Sequence, residues 1–275
     1  MAELEHYFDE LKLKIIPNIY LEEAKKAAKK KVDYTEYLSG LIEQEYHGMI
    51  ERSVNERIRR AGFPSIKTID GYDFTYQPQL NEKLIRNLDT MEYLDKAINI
   101  LFVGPPGVGK SHLSIGLSIK ACERRKRVLF YTAQELVDDL AKAKLMGRLG
   151  RELAKLGRVD LLVLDELGYM DLTKESATLF FQLVSRRYER GSIILSTNRP
   201  FEEWSSIFKD NIIATAILDR LLHHSYVFYI TGDSYRMKNH NTMCEDDTSV
   251  PRKASGGKGA SHRRDKTGPG ESEEK

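Results

Sequence analysis

Hydrophobic and polar positions change their period twice along the chain. Over residues 1 to about 68 the spacing is helical. Pro17 and Asn18 open the segment NIYLEEAKKAAKKK, and Asp33 with Glu36 has capping-box spacing ahead of a second segment that runs to Arg60. In that second segment Leu38, Leu41, Ile42 and Glu45 fall on one helical stripe. AGFPS, Ala61 to Ser65, then breaks the pattern as a linker does. From about Lys67 to Arg236 short apolar runs alternate with amphipathic segments. NILFVG, RVLFYT, VDLLVLDE, SIILSTN and YVFYIT are rich in Val, Ile and Leu with little alternation, the pattern of strands covered on both faces. Thr132 and Glu135 form a capping box before LVDDLAKAKL; Thr173 opens a further helix that Gly191 closes. Strand-helix alternation of this kind predicts an α/β fold with a parallel sheet and right-handed crossovers. After Arg236 the apolar content collapses into Gly, Ser, Pro and mixed charge. The expected division is a helical domain over 1–66, an α/β domain over 67–240 and a disordered tail over 241–275.

Composition narrows this only a little. Among 275 residues, a 41% hydrophobic share allows one full α/β domain with something smaller beside it. Cys122 and Cys244 make no disulfide framework and no zinc ligand set, which favours a reducing cytoplasm. The acidic N-terminus is followed by no long apolar stretch, so neither secretion nor membrane insertion is indicated. A net charge of +2 is too small to argue for nucleic acid, so that case must come from local clusters.

The chemistry begins where the first strand ends. Gly104, Pro105, Pro106, Gly107, Val108, Gly109, Lys110 and Ser111 fit the phosphate-binding loop, with His112 in the same first turn of the helix that follows. Glycines let successive N–H groups converge on one concavity, and the helix start adds its positive end. Lys110 reaches the β and γ phosphates and the Ser111 hydroxyl ligates Mg²⁺, so a nucleotide and Mg²⁺ are the expected cofactors. Two strands on, LLVLDE is a buried run ending in Asp165 and Glu166. Asp165 suits Mg²⁺, as Ser111 does, while Glu166 is a second carboxylate free to polarise an attacking water.

Other residues leave alternatives open. Ser196, Thr197 and Asn198 end the next strand, where a polar side chain either orients the water or caps the turn before Pro200. Arg220, among buried apolar positions, and Arg236 are either surface charges or γ-phosphate sensors, one of them acting from a neighbouring subunit. Arg148, Arg151, Lys155 and Arg158 share a helical face opposite Leu149, Leu153 and Leu156, either a solvated stripe or a sequence-independent contact with DNA phosphates. Tyr72, Phe74 and Tyr76 line an adenine pocket or simply pack. The histidines have no metal-ligand spacing.

Taken together, the loop, LLVLDELGYM, STNRPFEEW, AILDRLL and GDSYR resemble the AAA+ ATPases that help insertion-sequence transposition, the IstB family, which are close relatives of the DnaC helicase loaders. The likeness covers roughly residues 10 to 240. It implies an ATPase that oligomerises with ATP, binds duplex target DNA and recruits or stimulates a partner transposase. The alternative within the same relatives is a replicative helicase loader acting on single-stranded DNA; a nucleotide kinase and a DNA-coating module are further classes. Carried over by position, Asp165 and Glu166 match the metal and water-activating pair, Asn198 the first sensor, Arg220 the trans-acting arginine finger and Arg236 the second sensor. One departure is visible: the apolar pattern runs out near Arg236, so no C-terminal helical lid is expected and Arg236 acts from the core itself.

Overall fold

The computed structural model describes residues 2–169 and 171–235, all within one compact unit. Three helices come first: α1 (Ala2–Glu10), α2 (Ile16–Lys30) and the long α3 (Tyr34–Ala61). Two short helices follow, α4 (Glu82–Asn87) and α5 (Glu92–Asp95), and then the chain enters the sheet. From there the order is β1 (Asn99–Val103), α6 (Lys110–Glu123), β2 (Val128–Thr132), α7 (Ala133–Leu145), α8 (Leu149–Arg158), β3 (Leu161–Leu167), α9 (Lys174–Arg187), β4 (Ser192–Thr197), α10 (Trp204–Phe208), α11 (Asn211–Leu222) and β5 (Ser225–Tyr229). Every run expected to be a strand is one.

The five strands pair in parallel in the order β2-β3-β4-β1-β5. Side chains alternate across the sheet and sort the helices into two layers. Ile100, Phe102, Val163 and Ile194 join α6, the end of α3 and the segment from Ile69 to Leu94. Leu101, Leu162, Leu164 and Leu195 join α7 to α11. Both faces are therefore covered, which is why the strands read as continuous apolar runs.

Several local features differ from the expected ones. Leu41 and Glu45 are buried as the α3 stripe requires, but Leu38 and Ile42 are more than half exposed, because α1 and α2 cover only one edge of the helix. Asp33 caps α3 by accepting from the Thr35 N–H, whereas the full capping box forms at Thr132 and Glu135. Helix α9 ends at Arg187, before Gly191: Glu189 takes the left-handed conformation, and Gly191 instead gives room to the Arg187 guanidinium, which a Cβ there would meet at 2.7 Å. AGFPS is not a free tether either. Ala61 is buried in the sheet's core, and Phe63 meets Phe130 of β2 edge-on with ring centroids 6.1 Å apart. The tail expected over 241–275, the absence of a lid and Arg236 lie outside the described residues.

Candidate nucleotide site

The sheet order places β4 between β1 and β3, so the loop after β1, the acids on β3 and the polar tip of β4 meet at one carboxyl edge. The loop is tied to both strands beside it. The Gly104 N–H donates to the Thr197 carbonyl at 3.1 Å, and the Ile230 N–H donates to the Val103 carbonyl at 2.8 Å. Gly107 and Gly109 hold φ of +83° and +97°, a region that a side chain disfavours. Each is also crowded. A Cβ on Gly107 would strike Ser234, and one on Gly109 would lie 2.5 Å from the Tyr72 ring.

Helix α6 starts in the loop at Lys110. Lys110 Nζ donates to the carbonyls of Gly104 and Pro105, both at 2.8 Å, so its ammonium lies across the loop. One residue on, Ser111 Oγ donates to Asp165 Oδ1 at 3.1 Å, joining the first turn of α6 to the end of β3 across the sheet. A hydroxyl and a carboxylate are the hard oxygen donors that Mg²⁺ prefers, and both reach the same point from separate elements. The pair fits that ion.

Glu166 sits differently from Asp165, which is buried. In the pairing of β3 with β4, Leu164 opposes Leu195 but Leu167 opposes Thr197, so β3 carries one extra residue there. This is a β-bulge, and Glu166 within it holds φ of +63°. The bulge breaks strand alternation and turns the Glu166 side chain out to solvent beside the buried Asp165. Its N–H donates to Ser196 Oγ at 3.1 Å, while Ser196 Oγ donates to Asp165 Oδ1. A non-glycine residue in a left-handed bulge is costly, and such positions cluster at active sites.

Asn198 follows β4. Its Oδ1 is buried without a hydrogen-bond partner among the described residues, close to Gly168, where a Cβ would stand 3.0 Å away. A buried acceptor left open is where an ordered water can be bound.

Two flanking segments complete the loop's walls. Tyr72 Oη donates to the Val108 carbonyl at 3.0 Å and its ring meets Phe74 and His112 edge-on; burial pushes its pKa up to about 12, so it remains a donor. His112 lies 2.8 Å from the Thr68 carbonyl through Nε2, and burial lowers its pKa, which leaves it a neutral brace. From the chain's other end, the Tyr235 N–H donates to the Gly107 carbonyl at 3.1 Å, and the Tyr235 ring meets Tyr76 edge-on. Ser234 and Tyr235 lie in GDSYR, yet nothing in that motif's spacing announces that they cover Gly107.

Not every candidate converges. Arg220 is on α11, in the layer opposite α6, with its guanidinium 4.9 Å above the Phe181 ring and Nη1 donating to the Ala216 carbonyl. Among the described residues no hydrogen bond or ion pair joins it to the loop. Arg148, Arg151, Lys155 and Arg158 are exposed on and just before α8, while Leu153 and Leu156 are buried and Leu149 packs partly beside them. Lys155 is paired with Glu152 at 2.7 Å; the three arginines have no carboxylate partner among the described residues. No described helix is long and apolar enough to cross a membrane.

A five-stranded parallel sheet with a glycine loop after its first strand and an Asp-Glu pair one strand removed, on the tip of β3, defines a P-loop ATP-binding core of the AAA+ type. Comparisons with solved structures agree on the fold. The crystal structure of the DnaC helicase loader superposes with a TM-score of 0.50 at 21% identity, over 59% of this chain and 96% of that one. AMPPCP-bound DnaA from Aquifex aeolicus gives 0.53 at 19% identity, over 70% and 59%. The chain belongs to the family of IstB-like ATP binding proteins, whose model matches residues 7–243. Its relatives include an insertion sequence IS21 putative ATP-binding protein of Pseudomonas aeruginosa, 42% identical over 238 residues, covering 86% of this chain and 90% of that protein. Another is the insertion sequence IS5376 putative ATP-binding protein of Geobacillus stearothermophilus, 40% identical, with 86% and 94% covered.

Proposed function

We propose that this protein is a Mg²⁺-dependent ATPase that assembles on duplex target DNA with ATP bound and recruits or stimulates a partner transposase. The observation that carries the ATPase part is the junction of Ser111, Asp165 and the bulged Glu166 beside the glycine loop. The relatives' insertion-sequence names support the setting.

In this reading the loop N–H groups and Lys110 bind the phosphates, while Ser111 and Asp165 hold Mg²⁺. When bound, the ion neutralises charge on the β and γ oxygens. Glu166 accepts a proton from the water that attacks the γ phosphorus as the bond to the β-γ bridging oxygen breaks, and the open Asn198 acceptor orients that water. Arg220 stabilises the transferring group in a neighbouring subunit, consistent with its place away from its own loop. The second-sensor role of Arg236 is part of the same proposal, and so is contact of Arg148, Arg151, Lys155 and Arg158 with DNA phosphates, a sequence-independent attraction that falls as salt rises.

Sedimentation of the protein with Mg²⁺ and a slowly hydrolysed ATP analogue, on duplex or single-stranded DNA of equal length, tests the assembly. Large nucleotide-dependent complexes on duplex support it. Complexes on single strands alone would replace it with helicase loading. For the chemistry, Lys110→Ala is expected to abolish analogue binding, while Glu166→Gln keeps binding and lowers kcat by about a hundredfold or more. Unchanged turnover in Glu166→Gln would remove it as the base.

A further inference from the structure

We propose that Ser196 is a positioning residue of the hydrolytic site, one hydroxyl that fixes the metal-side carboxylate and the catalytic glutamate together; this rests on the hydrolysis reading above. Ser196 is 1% exposed, on the central strand β4 between the loop's strand and the acids' strand. Its proton goes to Asp165 Oδ1, and its oxygen accepts the Glu166 N–H at 3.1 Å. The same Asp165 oxygen also accepts from Ser111 Oγ at 3.1 Å. Of the two hydroxyls on that oxygen, only that of Ser196 is also bonded to Glu166.

The bulge explains why a side chain is needed here. In a regular ladder the Glu166 N–H finds a strand carbonyl, but the extra residue in β3 shifts the register between Leu164 and Leu167. Ser196 supplies the acceptor in its place, and so holds Glu166 at φ of +63°. Without that tether the half-buried N–H loses its partner and the left-handed conformation is less well supported. The hydroxyl's one proton is committed to Asp165 and one of its lone pairs to Glu166, and Ser196 is almost wholly buried. It is therefore not the group that orients water at the tip of β4. The open Oδ1 of Asn198 is left for that task, so SIILSTN divides its work, with Ser196 setting the carboxylates and Asn198 offering the unpaired acceptor.

The test uses the full chain with Ser196→Ala, Ser196→Cys and Ser196→Thr, following ATP hydrolysis against ATP and Mg²⁺ concentration together with Mg²⁺-dependent binding of a fluorescent ATP analogue. Alanine is expected to lower kcat by about tenfold to a hundredfold, as misplacement of catalytic groups does. It should also raise the Mg²⁺ concentration needed for half-maximal analogue binding, with little change in KM for ATP. Cysteine, similar in size but a weak donor, should behave as alanine does, which keeps the test open if alanine unfolds. Threonine, which retains the hydroxyl, should restore most of both losses. Wild-type kcat and Mg²⁺ dependence in the alanine or cysteine variant overturns the proposal, as does a folded threonine variant that is no better than alanine. Should the wild-type chain bind the analogue but hydrolyse no ATP, the function reading fails by itself, and the Mg²⁺ dependence of binding still decides the part played by Ser196 at Asp165.

Discussion

Arg187 is 1% exposed, yet among the described residues its hydrogen bonds reach none of the candidate nucleotide-site residues. Its guanidinium donates to the carbonyls of Leu156 and Ser192 at 2.7 Å and of Val159 at 3.0 Å, pinning the end of α8 to the entries of β3 and β4. Burial lowers its pKa to about 10, so it keeps its proton at neutral pH. Removing it takes the guanidinium from two buried carbonyls and from others that are half-buried, and Arg187→Ala is expected to cost about 3 kcal/mol or more. Arg187→Lys should not restore this, since an ammonium lacks the planar fork. Denaturant unfolding measures the loss, and a change below about 1 kcal/mol would contradict it. Nothing in VSRRYERG distinguishes Arg187 from Arg186 beside it. By contrast the places of Lys110 and Ser111, at the loop's end where α6 begins, are legible from a fixed spacing of glycine, lysine and hydroxyl that few other structures share.

Elements follow the same division. The five strands and their parallel pairing could be read from apolar runs alone, and the start of α7 from a capping box whose two partners are three residues apart. The β3 bulge could not, because LLVLDEL carries no glycine to mark it and its register depends on β4. Helix α2 gives another case. Its own cap residue, Ile15, offers no side-chain bond, and Glu45 of α3 serves instead, accepting the N–H groups of Lys14, Ile15 and Ile16 and pairing with Arg52 at 2.8 Å. Burial alone would raise the Glu45 pKa. The three N–H donors and Arg52 outweigh it and bring the value down to about 2 from 4.5. A folded pKa below the unfolded one means that this stabilisation is complete above about pH 4.5 and is lost as pH falls from there through about 2. Thermal unfolding followed by circular dichroism should therefore show Glu45→Gln less stable than wild type at pH 6, with the gap closing across that interval. A gap independent of pH would remove the capping carboxylate from the account.

At the scale of the whole molecule, the two helical layers separate Arg220 from its own loop, and complementation between variants can read the consequence. Lys110→Ala and Arg220→Ala are each expected to be inactive alone, with Arg220→Ala still binding nucleotide. Mixed, they should recover part of the ATPase activity, because an intact loop on one subunit meets an intact arginine on the next. Action within one chain predicts no recovery, and that outcome would overturn the trans assignment. The clasp around the loop has a different consequence. A fragment from Asn99 to Tyr229 would contain all five strands, the whole glycine loop, Asp165, Glu166, Asn198 and Arg220. It would still lack Tyr72, which anchors the Val108 carbonyl, and the Ser234–Tyr235 turn that closes over Gly107. The smallest transplantable nucleotide module of this protein is thus wider than its sheet: a chimera joined at the first and last strand would inherit the chemistry without the splint that shapes it.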